Sequence, residues 1–271
     1  MAAPVIQQAE PQLVVHSGSV AAPAGLCFDL VAGVESAPQF FGSHLHAEVR
    51  RGGGRQVVER WVIAPGGGIR NWTADRFVDV TARRIVFEHA GGRPPVAGMR
   101  GEWSFTPSAG GTTEVRLEHA LTFAGATTPV EARAALADID RGGRAQLDQL
   151  RAVAESYPRL TARTVRAEAR TVVPGACTDV YERLAQAVGA DHHWAAALLP
   201  GRAVVLKRVA GLSSRLHAAT ARIDLTQTAS GVEISLCARL TSAESGPAPA
   251  ALHRWLPPVA QRELALLAAA L

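Results

Sequence analysis

Cysteine is scarce in this chain. Three occur in 271 residues, Cys27, Cys177 and Cys237, far apart, odd in number and without a Cys-x-x-Cys pair. That pattern argues against a disulfide framework or a cysteine-built zinc site, and a reducing, cytoplasmic setting is expected. Aromatics are few, at 5%, and Lys207 is the sole lysine. The other basic residues are scattered arginines, paired at Arg50-Arg51 and Arg83-Arg84 but never in a long block. Nucleic-acid binders gather charge on one face and interleave aromatic platforms. The net charge of +4 therefore suits a mildly basic surface that attracts an acidic protein partner, and no nucleic acid. No apolar run approaches the roughly 20 residues of a membrane helix. Met1–Glu10 has neither a basic nor an apolar leader region, so secretion is not expected. The glycine clusters lack the context of a nucleotide-binding loop, and no nucleophile elbow is present.

Apolar residues make up 48% of the chain and charged residues 19%, an ordinary globular balance. At roughly 100–200 residues per domain, this length forms one large domain or two small ones. An internal likeness favours two. Val14–Leu30 and Ala167–Arg183 both read as an alternating stretch, a proline turn and an apolar helical start, offset by 153. Glu114–Leu117 matches Glu233–Leu236 at an offset of 119. The chain thus reads as a duplicated unit whose second copy has lost 34 residues, between the equivalents of Ala37 and Arg100. That region includes Trp72 and Arg76.

In the first copy Val14–Val20 alternates and Pro23 to about Val34 is helical. Strands are expected at His44–Arg51, Gln56–Ile63, Arg70–Val78, Arg84–His89, Arg100–Thr106 and Thr113–Phe123. Turn clusters such as Gly52-Gly53-Gly54 separate them. From Val130 to about Glu155 the period is helical, with Leu136, Asp140, Gly143, Leu147, Leu150 and Ala154 on one stripe. An antiparallel sheet followed by one long helix is an α+β plan, with the helix packed on the sheet. Pro158 predicts a linker over Ser156–Thr164, which divides the chain into domains at 12–156 and 165–271, the second truncated.

Strand alternation puts Trp72, Ala74, Arg76 and Val78 on one face. An arginine on the inner face of a sheet is costly unless something polar or anionic meets it. A salt-bridged arginine at a strand end is an equal alternative. His119 interrupts the apolar row of Val115, Leu117 and Leu121, and Asp140 interrupts the apolar stripe of the helix. A lone histidine of this kind is more often a satisfied core residue. Arginine, imidazole and carboxylate converging on one cavity would hold an oxyanion and shuttle protons. His44 and His46 share a face, with solvent exposure the default reading and a cavity mouth the second. His192-His193 has no third ligand for a metal. In the second copy His119 aligns with Ala238, and Asp140 roughly with Pro257, so one working site is expected, in the first half.

Five stretches together resemble the di-domain aromatase/cyclases of bacterial type II polyketide synthases. They are Ser36-Ala37-Pro38-Gln39-Phe40-Phe41 with His46, Asn71-Trp72-Thr73-Ala74-Asp75-Arg76, Met99-Arg100-Gly101-Glu102-Trp103, Leu117-Glu118-His119, and Ile139-Asp140-Arg141 with Arg144. The likeness covers residues 12–155 well and the remainder loosely. It implies tandem START-like helix-grip domains, each a curved antiparallel sheet wrapped around a long C-terminal helix. It further implies an enzyme acting on a poly-β-ketone held by an acyl carrier protein, directing first-ring aldol closure or dehydration to an aromatic ring, without metal or organic cofactor. The ketosynthase pair and ketoreductase are implied partners, and a homodimer is one option for the assembly. Under this resemblance Arg76, His119 and Asp140 are catalytic. Trp72 and Trp103 line the cavity, with His46, His44, Trp61, Phe40, Phe87 and Met99 as further substrate contacts.

The chain departs from the family pattern at Ala37, Ala74 and Gly142-Gly143, where family members often carry Trp, Ser and Asn-Ser. A wider, less polar pocket follows. Two other readings stay open: a non-catalytic carrier or chaperone for a hydrophobic ligand, and a scaffold built on the short second half.

Overall fold

The computed structural model describes residues 10–64, 67–189 and 193–271. His192 and most of the N-terminal segment read for a leader lie outside them. The chain divides into two compact units. The first holds residues up to Val34, Glu48–Arg60 and Trp72–Glu155; the second holds Glu35–Ala47, Trp61–Asn71 and Ser156–Leu271.

Seven strands form the first sheet: β1 (Gln12–Val20), β2 (His44–Arg51), β3 (Arg55–Ile63), β4 (Ile69–Asp79), β5 (Arg84–His89), β6 (Val96–Pro107) and β7 (Thr113–Phe123). Their spatial order is β1-β7-β6-β5-β4-β3-β2. Helices α1 (Ala24–Ala32) and α2 (Ala37–Phe40) lie between β1 and β2, and α3 (Pro129–Ala162) follows β7. Strands β5 and β7 coincide end to end with the expected ones because their alternation is unbroken. On β7, Val115, Leu117, His119 and Leu121 are buried while Glu114, Arg116 and Thr122 are exposed.

Pro158 predicts a linker, yet α3 continues through it to Ala162. A proline removes one helical donor, and here the Thr161 hydroxyl donates to the Tyr157 and Pro158 carbonyls while Leu160 is buried. Packing and that local bond hold the last turn.

The second unit carries β8 (Thr164–Val173), α4 (Cys177–Gly189), β9 (Trp194–Leu199), β10 (Ala203–Arg208), β11 (Leu216–Thr228), β12 (Gly231–Ser242) and α5 (Pro249–Ala270). Its sheet runs β8-β12-β11-β10-β9. Leu252, Leu256, Ala260 and Leu264 recur at helical spacing on α5 and enter the core with Val165, Ala167 and Ile234. The segment Glu35–Ala47 is stitched to this unit. Lys207 Nζ donates to the carbonyls of Pro38, Phe41 and His44 at 2.8, 2.6 and 3.0 Å. Burial pulls this lysine down to about 8.

The two sheets share one ladder, in which β8, β12, β11, β10 and β9 answer to β1, β7, β6, β5 and β4. Among the described residues, what the second copy lacks is therefore the β2–β3 pair. The strand equivalent to the one bearing Trp72 and Arg76 is present, although the sequence offsets place that region within the lost residues. The offsets bracket both stretches and cannot separate them; the register can. Arg76 faces Phe87, Phe87 faces Gly101 and Gly101 faces His119. The matching row is Ala196, Leu206, Ala221 and Ala238.

Candidate functional site

The first unit's site is laid out along that row. Alternation on β4 buries Ala74 and Arg76 and turns Asp75 and Phe77 outward. Arg76, 5% exposed, donates from Nε to Gln56 Oε1 at 2.7 Å, from Nη1 to the Val31 carbonyl at 3.2 Å, and from Nη2 to the Ala32 carbonyl. Those carbonyls end α1, where unpaired acceptors and the helix dipole favour a cation. All three partners are neutral. Burial first, then the neighbouring charge of Arg60, pulls Arg76 to about 10, so it stays a cation at neutral pH. A guanidinium has five N–H donors. Three are engaged here, which leaves two for a ligand.

Across the sheet a glycine makes room for an aromatic floor. A Cβ on Gly101 would stand 2.3 Å from Phe87 Cζ, so only glycine lets the phenyl ring lie over this strand. Ring centroids then follow at 5.6 Å from Trp72 to His89, 5.8 Å from His89 to Phe87, and 5.7 Å from Phe87 to His119. Four rings thus run unbroken from β4 to β7, about 14 Å at three strand spacings. Burial pushes His119 down to about 4, helped by His16 and His89. His89 falls to about 4 through burial and the charge of Arg60. Both imidazoles are neutral at neutral pH. Among the described residues neither Trp72 Nε1 nor His119 Nδ1, both buried, has a hydrogen-bond partner. Buried polar atoms are nearly always satisfied, so two orphans on one floor call for an oxygen from elsewhere.

Asp140 has partners other than those of Arg76. Its carboxylate accepts from Arg144 Nε and Nη2, each at 3.1 Å, and meets His16 Nε2 at 3.1 Å. Arg144 first and His16 second hold its carboxyl below the usual carboxylate range. It is ionised, its side chain is 41% exposed, and it ties α3 to β1. Asp140 therefore meets the sheet at β1, through the His16 whose charge also acts on His119, while Arg76 sits on β4.

The remaining expected contacts divide between the units. Met99 lies on β6 opposite Leu121, and Phe87 forms the floor. Trp103 is buried and stacked on Phe105 with centroids 6.1 Å apart, inside the core. Phe40, His44, His46 and Trp61 group within the second unit. Phe40 packs on Tyr157 at 5.2 Å, His44 on Phe41 at 5.3 Å, and His46 on Trp61 at 5.0 Å. His16, Gln56, Arg60 and His89 escaped the sequence reading. His16 and His89 were open to it, since each continues an inward alternation: Val14 and His16, and Ile85, Phe87 and His89. No group of three or more His, Cys, Asp or Glu placed to hold a metal occurs among the described residues.

Residues 20–144 match the family model described as polyketide cyclase / dehydrase and lipid transport. The chain is 35% identical over 142 residues to the granaticin polyketide synthase bifunctional cyclase/dehydratase of Streptomyces violaceoruber, covering 52% of this chain and 43% of that one. It therefore spans less than half the length of the curated relatives it matches. Among solved structures it resembles the di-domain ARO/CYC StfQ from the steffimycin biosynthetic pathway, with TM-score 0.74, 26% identity, and coverage of 94% of this chain and 96% of that one. It also resembles the Zhui aromatase/cyclase of a Streptomyces species, with 30% identity, TM-score 0.50, and coverage of 56% of this chain and 98% of that one. The family model spans the ring floor and the strands that carry it, and with the Zhui aromatase/cyclase matched over nearly its whole length the chain belongs to the polyketide cyclase/dehydrase family.

Proposed function

We propose that the chain is an aromatase/cyclase whose first unit acts on a poly-β-ketone carried by an acyl carrier protein, directing first-ring aldol closure, dehydration of the closed ring, or both. The observation that supports this most is the four-ring floor with its two orphaned polar atoms and Arg76 at one end. A flat apolar surface suits a ring that is becoming aromatic, and the orphans suit its oxygens.

A methylene between two ketones ionises readily, so the main task is to hold one folded conformer. Arg76 donates its two open N–H groups to a ketone or enolate oxygen, in a buried site where such a bond counts for more than in water. With roughly 14 Å between the two backbones, Arg76 and His119 address different carbonyls of one chain. Neutral His119 takes a methylene proton as the new carbon–carbon bond forms, and the attacked ketone oxygen becomes an alkoxide. The imidazolium, a strong acid at a pKa of about 4, returns that proton to the alkoxide and leaves a β-hydroxyketone. In dehydration the α-proton passes to His119 and departs with the hydroxyl as water. Such proton transfer contributes about 10²–10⁴-fold. Asp140, ionised and tied to His16, acts here as a positioning group.

The test is reconstitution with a minimal synthase, with and without a ketoreductase, followed by identification of the first-ring products. A defined aromatic first ring that appears only with this protein is expected. Identical products with and without it would instead assign the first unit to carrying a ligand.

A further inference from the structure

The second unit holds a cavity of about 900 Å³ between its helices and its sheet, lined among others by Leu184, Leu206, Ala221, Ala238, Leu256 and Leu267. Interiors are packed nearly as densely as organic crystals, and voids much larger than a water are rare. A space this large falls within the range of small-molecule sites. Three of the lining residues, Leu206, Ala221 and Ala238, occupy the row that in the first unit carries Phe87, Gly101 and His119. The groups that would do chemistry are replaced by methyl and isobutyl groups, and an open space lies against them. An apolar row of this kind is suited to holding a ligand, and none of its side chains can move a proton.

Among the described residues, two charged ones line the cavity, Glu263 and Arg208. Glu263 is matched by Arg262 at 3.1 Å. Arg208 lies with its guanidinium carbon 5.5 Å from the Trp194 ring centroid, and its Nε donates to the Ala210 carbonyl at 3.2 Å. Among the described residues, a carbonyl and an aromatic face leave the cation without a countercharge. Trp255, 53% exposed, and Leu266 also line the space and are open to solvent, so the cavity has a mouth.

We infer that the second unit is a non-catalytic binding site for an apolar molecule bearing one anionic oxygen group, its body in the hollow and its charge on Arg208. A fatty acid and an aromatic phenolate or carboxylate share this chemistry. The inference stands apart from the proposed chemistry of the first unit, because none of its residues belongs to the ring floor.

The full chain is titrated with two fluorescent probes of similar shape, anionic anilinonaphthalene sulfonate and neutral phenylnaphthylamine, and then with a fatty acid and an aromatic carboxylate as competitors. Arg208→Gln, in the cavity lining, should weaken the sulfonate about tenfold and leave the neutral probe within about twofold. Ala238→Trp, which fills the hollow, should remove one equivalent of both probes. Synthase products should be unchanged by either substitution. The fatty acid and aromatic competitors distinguish the source of the natural ligand by which displaces the probe at lower concentration. Sulfonate affinity unchanged in Arg208→Gln would overturn the inference, even should Ala238→Trp not fold. So would equal weakening of the two probes. Failure of the synthase assay in the parent protein would count against the first unit alone.

Discussion

His16 on β1 and Asp140 on α3 meet at 3.1 Å, and the space that lets them meet is Gly143, one helical turn beyond Asp140. A Cβ at Gly143 would stand 2.4 Å from the imidazole. Strand, histidine, carboxylate and glycine thus form one staple between the long helix and the sheet edge. Gly143→Ala should displace His16 and lower the unfolding free energy by about 1–3 kcal/mol, read by urea denaturation. A variant as stable as the parent would show that the helix shifts freely and that the staple is incidental.

Asp140→Asn separates positioning from proton transfer. The ionised, half-open carboxylate does not donate a proton at neutral pH, so turnover should fall by less than about tenfold, with an unchanged pH optimum. Loss of a limb of the pH–rate profile would make it an acid–base group after all.

Gly101 is the second glycine with a steric duty. Gly101→Ala would force Phe87 off the floor, since the new methyl also meets the Glu118 carbonyl at 2.6 Å. Backbone cannot retreat as a side-chain tip can. A loss of about 1–3 kcal/mol is expected, together with loss of first-ring selectivity. Wild-type product ratios from a folded Gly101→Ala protein would argue that the ring floor does not shape the substrate.

Arg76 has two duties, and conservative substitution splits them. Arg76→Ala leaves the last carbonyls of α1 unmet and should cost about 2–4 kcal/mol of stability. Arg76→Lys keeps a cation near those carbonyls but loses the fork that serves helix and ligand at once. It should recover most of the stability and little of the product selectivity. Full recovery of both would reduce Arg76 to a structural cap.

Acid should weaken the first unit through its buried imidazole. His119 at about 4 sits below the ordinary histidine value of about 6.5, so between those values the unfolded chain binds the extra proton. Stability is then fully present above pH 6.5 and declines as pH falls toward 4. His119→Gln cannot protonate, and should lose about 2 kcal/mol less than the parent between pH 7 and pH 4.5. Equal losses would place the imidazole in contact with water.

The duplicated plan and most strands were legible because their signals are local. Alternation on β5 and β7, the helical stripe from Leu136 to Ala154, and the inward placement of Arg76 and His119 all follow from residue spacing. What spacing does not carry is direction across the fold. Nothing local says that Arg76 turns toward the carbonyls of Val31 and Ala32, or that Asp140 finds His16 some 124 positions away. The same limit hid the grouping of Phe40, His44, His46 and Trp61 in the second unit. It also made Pro158 look like a break, because the burial of Leu160 that holds the helix end is a tertiary effect.

The central claim is that His119, neutral on the ring floor, moves the proton in the first-ring chemistry. Reconstituting the synthase with His119→Gln tests it directly, with circular dichroism confirming the fold. Loss of the aromatic first ring, with shunt products in its place, is the result expected. A folded His119→Gln protein that yields the parent's product at the parent's rate would contradict it.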